Sequence, residues 1–472
     1  MEEAAAIDDT SPTASGLRPF FIAGGAGFVV VLALAVALLL WDPPAPNVLL
    51  ITLDMVRADH LGAYGYTRNT SPNLDALAKE GAVFEQAYTA STLSAPSHAS
   101  LLTGLEPAAH GVTDNVHKLG DDVVTLAERM RDAGYATGAF ISYPLVGKDV
   151  GLDQGFETFE VRKLPNHAHE PLPLEASRRL FLDSAEWLRG HDNRFFLWVH
   201  VQHAHFDFRP PKAFEELFLE DAPEEHQALD CIRDINRAIA EGRPIPEEDA
   251  RRNVARYDAE IASADVGIGL LLETLKEIGA NERTTVVVVA DHGVTLFDRV
   301  EQGGTVDHID EFFEEVVRVP LVIRVPGMPK GRVPGFVTLP AVAETLAEVA
   351  GLPPSPTKSA PGLLPVLRDG RGAPEPPVMR WIYTDTHRAI RVGDEKLLLR
   401  DGAAHLYDVA ADPGETRDLA EERPARVEEL LAMLQEDTPV KEAETLEPSS
   451  EVMKTLREGG YLDQLRRKHD ER

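Results

Sequence analysis

Three short stretches of the 472-residue chain carry side chains suited to gripping a cation and striking an anion beside it. Asp54 follows the apolar run Asn47 to Leu53, and Asp291-His292-Gly293 follows the run Thr285 to Ala290. Two carboxylates and an imidazole match a divalent cation of hard or borderline character. The third stretch is Ser94-Ala95-Pro96-Ser97-His98, running on to Gly104. Proline in a first helical turn and glycine at the end bracket a short helix, so Ser94 stands at a helix N-terminus. Free amides and the helix dipole favour a tetrahedral sulfate or phosphate there, and a neighbouring cation lowers the pKa of the serine oxygen. Taken singly, a serine or aspartate in such a place is more often a plain helix cap. Two strand ends together with the serine carry more weight than any one of them.

Those residues need a scaffold that brings strand ends together. Apolar runs of strand length recur at Asn47 to Leu53, Ala136 to Ile141, Phe195 to Val201, Thr285 to Ala290 and Pro320 to Val325, separated by amphipathic stretches such as Val123 to Asp132 and Tyr257 to Ile278. The alternation predicts an α/β fold with a largely parallel sheet and helices on both faces. Ligands in such sheets bind beyond the carboxyl ends of the strands, where Asp54, His203, His205, Asp291 and His292 all fall. Ala213 to Asn253 reads as a charged helical insertion, and Met379 to Leu406, with a turn at Gly393-Asp394, as a small antiparallel sheet followed by a helix from Pro424 to Gln435. The expected layout is a catalytic domain over 46–352, a proline- and glycine-rich linker over 353–377, a C-terminal α+β subdomain over 378–436 and a surface tail over 437–472.

Composition narrows the partners. At 43% hydrophobic and 26% charged, the chain has enough apolar material for one large domain plus a small satellite. A formal net charge of −31 and the lack of a basic stripe argue against nucleic acid. A solvated surface explains that acidity better than a dedicated acidic patch. Cys231 is the single cysteine, so neither an intrachain disulfide nor a thiolate metal cluster can form. Phe20 to Trp41 carries no charge and is long enough to span a bilayer of roughly 30 Å. Its apolar character continues past the small residues Ala35-Val36-Ala37, which favours an uncleaved anchor over a signal peptide. Arg18 then places residues 1–19 in the cytoplasm and the catalytic bulk outside, as a single-pass cell-membrane protein.

From Asn47 to Leu419 the chain resembles the sulfatase family of the alkaline phosphatase superfamily. Tyr64-Gly65-Tyr66 and Ser71-Pro72-Asn73-Leu74-Asp75 follow Asp54 in the family's order. Tyr257-Asp258-Ala259-Glu260-Ile261, Arg318-Val319-Pro320-Leu321, and Leu406-Tyr407-Asp408 with Asp412-Pro413-Gly414-Glu415 also match. The resemblance implies an alkaline-phosphatase-like three-layer α/β/α sandwich and a metal-dependent sulfuric ester hydrolase. By it Asp54, Ser94, Asp291 and His292 bind one divalent ion, calcium in first place with manganese, magnesium or zinc as alternatives. Ser94 would be the nucleophile, at the position where sulfatases carry the cysteine or serine that becomes formylglycine, and His205 and His308 would hold the anion. His205 lies in His200 to Pro211, which is similar to the family's His-x-x-Asp-Pro-His-x-Pro-Tyr segment.

Several positions depart from that pattern. Met55 stands where the family has a second aspartate, leaving one carboxylate fewer on the metal. His98 replaces the arginine that belongs to the signal for formylglycine formation, which argues against modification of Ser94. The Gly-Lys-Trp-His segment is replaced by Ala139-Phe140-Ile141-Ser142, and Lys148 lies too far along to stand in for its lysine. The alternative is a phosphodiesterase, phosphatase or phosphoryl transferase of the same superfamily using unmodified Ser94. Ser94-Ala95-Pro96-Ser97-His98 followed by His110 to Asn115 resembles the phosphodiesterase pattern, with Asn115 as an anion-binding residue and His203 and His205 as donors to a second metal. The same departures also suit a non-catalytic anchored binding domain, in which His203, His205 and His308 are core or solvated imidazoles. The substrate expected of the enzyme is a small-molecule, glycan-linked or lipid-linked sulfate or phosphate ester. His387 and Arg388 are either substrate-facing or ordinary surface groups.

Overall fold

Asn47–Leu53, buried at every position, forms the strand β1 around which the domain is built. Its largely apolar sequence, with Thr52 the one polar side chain after Asn47, is what a strand covered on both faces requires. The computed structural model describes residues 46–164, 171–191, 194–219, 231–302, 304–309, 311–369, 378–435, 439–447 and 450–458. The expected membrane segment Phe20 to Trp41 therefore lies outside the described residues. Among the described residues no helix is long and apolar enough to cross a membrane.

In chain order the strands are β1, β2 (Ala82–Tyr88), β3 (His117–Lys118), β4 (Ala136–Ile141), β5 (Thr158–Val161), β6 (Phe195–Val201), β7 (Thr284–Ala290), β8 (Arg318–Arg324), β9 (Gly331–Thr338), β10 (Val378–Ile382), β11 (Arg388–Val392), β12 (Glu395–Arg400), β13 (Ala403–Asp408) and β14 (Glu444–Thr445). The main sheet has the order β5-β4-β6-β1-β7-β8-β2-β9. Only β8 runs against its neighbours, β7 and β2. Its reversal has a local cause: after β7 the chain stays at the carboxyl end, where Gly293 N donates to Val316 O at 2.7 Å, so the next strand must start from that end.

The expected strands are present within two residues of their sequence bounds. Pattern reading passed over β2 and β9. Glu85-Gln86 interrupts β2, which carries a register irregularity there. In β9, Pro334 and Gly335 lie in an edge strand, where such residues are tolerated.

One group of helices packs around the long helix Glu247–Glu277, which contacts Pro72–Glu80 and Leu174–Gly190. A second group joins Ser94–Thr103, Leu126–Asp132 and Pro340–Val349. Thr125 and Glu128 form a capping box that starts the helix Leu126–Asp132.

The small antiparallel sheet β10-β11-β12-β13 shares a core with the main sheet. Trp381, Tyr383 and Tyr407 pack with Tyr88, Phe312 and Phe313 in one buried cluster. Residues expected as a surface tail behave differently: β14 pairs antiparallel with β3, and Leu446, Val452 and Leu456 are buried. Apolar side chains spaced along an acidic background give that segment a face to bury.

Candidate active site

The site lies where β1, β6 and β7 end side by side. Asp54 N donates to Val201 O at 2.9 Å and Asp291 N to Leu53 O at 3.1 Å, so both acidic residues are fixed by continuation of the strand ladders. Ser94 begins the helix Ser94–Thr103, which Gly104 ends in the left-handed conformation. Ser97 Oγ donates to Asp291 O at 2.8 Å and pins this helix to the end of β7.

Ser94 Oγ lies 3.4 Å from His292 Nε2. That nitrogen is also 3.4 Å from Asp291 Oδ2 and 3.9 Å from Asp54 Oδ1. One potential ligand atom from each of Asp54, Asp291 and His292 lies within 4.8 Å of the others. The three side chains are fully buried.

Their hydrogen bonding meets the test for a cation site. Asp54 Oδ1 and Oδ2 and Asp291 Oδ2 are buried without any hydrogen-bond partner. Orphaned carboxylate oxygens are costly in a folded interior unless a cation compensates them. The other Asp291 oxygen accepts from His292 N at 2.8 Å and Met55 N at 3.2 Å, so the spare oxygen is held facing the site. His292 Nδ1 is 3.0 Å from Gly293 O, a carbonyl that can only accept. The ring proton is thereby assigned to Nδ1 and a bare Nε2 turns toward the carboxylates. Burial, and then the charge of Asp291, pushes the Asp54 carboxyl well above the usual carboxylate range. Burial raises Asp291 too and pushes His292 down to about 3. A bound cation reverses this logic by favouring the ionised acids and the neutral ring.

The remaining expected residues divide between those that face the centre and those that support it. His308 stacks on His292 with ring centroids 4.3 Å apart, and its Nδ1 is 2.7 Å from Thr92 O, leaving Nε2 buried and unpartnered. His205 is half-buried, 5.1 Å from the Tyr143 ring and 6.0 Å from the His308 ring between centroids. Asn115 Oδ1 accepts from Ala95 N at 3.0 Å, so it holds the first turn of the Ser94 helix.

His98 does not face outward as a substrate contact. It is fully buried, with Nδ1 2.8 Å from Ser94 O and Nε2 3.1 Å from Thr52 Oγ1, and it acts as a positioning residue because the helix turns its side chain into the sheet. His203, considered as a donor to a second metal, instead points at Ser177 Oγ, 2.6 Å away, under the long helices. Met55 is buried, and Lys148 is exposed beside the Phe159 ring. His387 pairs with Asp401 of the β12–β13 turn, and Arg388 donates to the Asp385 carbonyl in the turn before β11.

Sequence reading missed Thr52, His200 and Tyr143. Thr52 and His200 are polar residues inside otherwise apolar strand runs and pair in register across β1 and β6. A polar residue near the carboxyl end of a buried strand was the available signal.

A family model described as Sulfatase matches residues 46–352. The chain is 26% identical over 423 residues to the Delta 4,5-hexuronate-2-O-sulfatase of Bacteroides thetaiotaomicron, covering 80% of this chain and 85% of that protein. It is 27% identical over 442 residues to the choline-sulfatase of Rhizobium meliloti, covering 80% of this chain and 82% of the relative. In fold it is similar to the phosphonate monoester hydrolase of Agrobacterium radiobacter, with a TM-score of 0.66, 24% identity, and coverage of 82% of this chain and 95% of that one. With the match extending from β1 through the strands that carry Asp54, Ser94 and Asp291-His292, the chain belongs to the sulfatase family.

Proposed function

We propose that the protein is a metal-dependent hydrolase of sulfate esters, with the oxygen at position 94 as nucleophile. The observation that carries it is the set of buried, unpartnered oxygens of Asp54 and Asp291 beside Ser94 Oγ and the bare Nε2 of His292. Asp54, Asp291, His292 and Ser94 would hold the ion, whose chemistry is to favour the ionised serine oxygen and offset charge on the ester.

The chain's own residues supply the rest. The helix N-terminus at Ser94 presents amides toward a tetrahedral anion, with Ala95 N already satisfied by Asn115 Oδ1. His308 offers a buried imidazole edge and half-buried His205 lies 6.0 Å from its ring, and both would meet the oxygens of the ester. Ser94 Oγ bonds to sulfur as the bond from sulfur to the alcohol oxygen breaks, and the serine proton ends on the departing alcohol. Water then cleaves the Ser94 ester, releasing hydrogen sulfate and restoring the hydroxyl. The sulfated substrate would be a small molecule or a glycan- or lipid-linked ester.

Cleavage of phosphate esters at the same centre is the alternative, favoured by His98, whose buried contacts occupy the place of the family's arginine, and by Asn115 beside the nucleophile. Assay of sulfate against phosphate esters with calcium, manganese, magnesium and zinc tests the assignment. Sulfate-ester turnover that Ser94→Ala abolishes is expected, and turnover of phosphate esters alone would overturn it. Intact mass settles the nucleophile: a mass matching serine at position 94 excludes formylglycine. The apolar, uncharged run Phe20 to Trp41 supports anchoring to the cell membrane with the catalytic domain outside. Release of the protein from membranes by high salt alone would contradict that anchor.

A further inference from the structure

One helix within the charged insertion reaches both segments that carry the expected anion contacts. The helix Ile232–Ala240 buries Ile232, Ile235 and Ala238, the spacing of a single apolar face. At nine residues it is too short to be stable by itself, so its place depends on what the rest of the chain offers it.

Its first turn is held by the chain just after His205. Ile232 N donates to Asp207 Oδ1 at 2.9 Å, and Cys231 Sγ lies 3.5 Å from Asp207 Oδ2. A carboxylate there satisfies an amide that the helix leaves free and complements its dipole. One turn further along, Asn236 grips the chain just before His308. Asn236 Nδ2 donates to Val306 O at 2.9 Å, and Asn236 Oδ1 accepts from Val306 N at 2.9 Å. These main-chain partners fix which way the amide faces, because its nitrogen can only donate and its oxygen only accept.

From Val306 the hold passes directly to His308. Asp307 N donates to Thr295 Oγ1 at 3.0 Å and Thr295 N to Asp307 O at 2.9 Å, which ties the segment to the chain beyond β7. Asp307 Oδ1 in turn accepts from His308 N at 2.7 Å. On the other side, Phe206 stands between His205 and Asp207 and stacks on the His308 ring, with centroids 5.9 Å apart. A shift of the helix would therefore move Asp207 and Val306 together, each two residues from an imidazole.

We infer that the helix Ile232–Ala240 is a brace that sets the spacing of His205 and His308, with Asn236 as a positioning residue for His308 and Asp207 for His205. This rests on the sulfate-ester reading above, in which both rings meet the anion, and deepens it by naming what aligns them.

The test uses the full chain, loaded with whichever of calcium, manganese, magnesium and zinc supports most turnover of nitrophenyl sulfate, as wild type, Asn236→Ala, Asp207→Ala, His308→Ala and the double variant Asn236→Ala/His308→Ala. Asn236→Ala should lower kcat/KM by about 10-fold or more, since a small misplacement of a contact group is costly. Introduced into His308→Ala, the same substitution should change kcat/KM by less than about twofold, because the group through which Asn236 acts is gone. An equal loss in both backgrounds would overturn the positioning role. Amide exchange read by mass spectrometry tests the brace without turnover. Exchange over 304–309 should rise in Asn236→Ala and also in Asp207→Ala, the latter by way of the helix, while the helix Ser94–Thr103 keeps its protection. Unchanged exchange over 304–309 in either variant would overturn the brace. Failure of the underlying reading looks different: wild type would not hydrolyse the ester, or His308→Ala would hydrolyse it as fast, and the exchange comparison would still decide the brace.

Discussion

The molecule buries two groups of acidic side chains and treats them in opposite ways. Between the sheets, Glu314 and Glu415 meet Lys396 Nζ at 3.0 and 2.7 Å, and Arg391 and the Tyr88 hydroxyl complete the shell of Glu314. Burial pushes Glu314 upward, but the charges of Lys396 and Arg391 outweigh it and hold the carboxyl well below the usual range, whereas burial raises its neighbour Glu415 to about 7 despite Lys396. At the ends of β1 and β7, the spare oxygens of Asp54 and Asp291 have no partner, and burial raises both groups. The first group is closed by the chain's own cations and serves to join two sheets. The second is left open toward Ser94, so its oxygens are neutralised by protons in the metal-free protein and, once ionised, call for the bound ion proposed above.

Substitutions can separate these two roles. The largest effect expected is on turnover: Ser94→Ala should reduce sulfate-ester hydrolysis by roughly 10³-fold or more while leaving metal stoichiometry unchanged, read by steady-state kinetics and elemental analysis. Lys396→Met strands two buried glutamates and should cost about 3–5 kcal/mol of stability in denaturant unfolding, with metal affinity of the folded protein unaltered. Asp54→Asn inverts that pattern. Metal affinity should fall on the order of 100-fold by calorimetric titration, whereas the metal-free protein should melt higher than wild type because an uncompensated buried acid is gone.

The smallest effect is a pH dependence of metal binding, which belongs to the open group alone. Asp54 and Asp291 are raised in the folded, metal-free protein, Asp291 to about 6. Their contribution to metal-free stability is therefore most favourable at or below the ordinary carboxyl value and declines as pH rises through about 6. Metal binding must displace those protons, so affinity should weaken by about tenfold for each unit that pH falls below about 6, per proton released. The rise in melting temperature on adding metal should be larger at pH 8 than at pH 5.5.

The same contrast explains what could be read without a structure. Asp54, Ser94 and Asp291-His292 were legible because each follows an apolar run or opens a proline-marked helix, and a strand end is a place where a polar side chain needs a reason. Their common location followed from the rule for parallel sheets. The supporting set was harder to see: Thr52, Trp198 and His200 sit inside strands whose apolar neighbours dominate the pattern, and their meaning depends on the β1 and β6 register. His98 was legible as a departure from a family motif, but only its contact with the Ser94 carbonyl shows that it supports the nucleophile from behind. The closed glutamate group joins residues from 88 to 415, and no local pattern announces a pairing over that span.

Turnover of a sulfate ester by wild type and Asp291→Asn, before and after exhaustive chelation and again after a divalent metal is restored, tests the central claim most directly. Wild-type turnover should vanish on chelation and return with metal, and the variant should stay inactive throughout. Undiminished hydrolysis by metal-free wild type, or full activity of Asp291→Asn, would contradict a cation held between these strand ends beside Ser94.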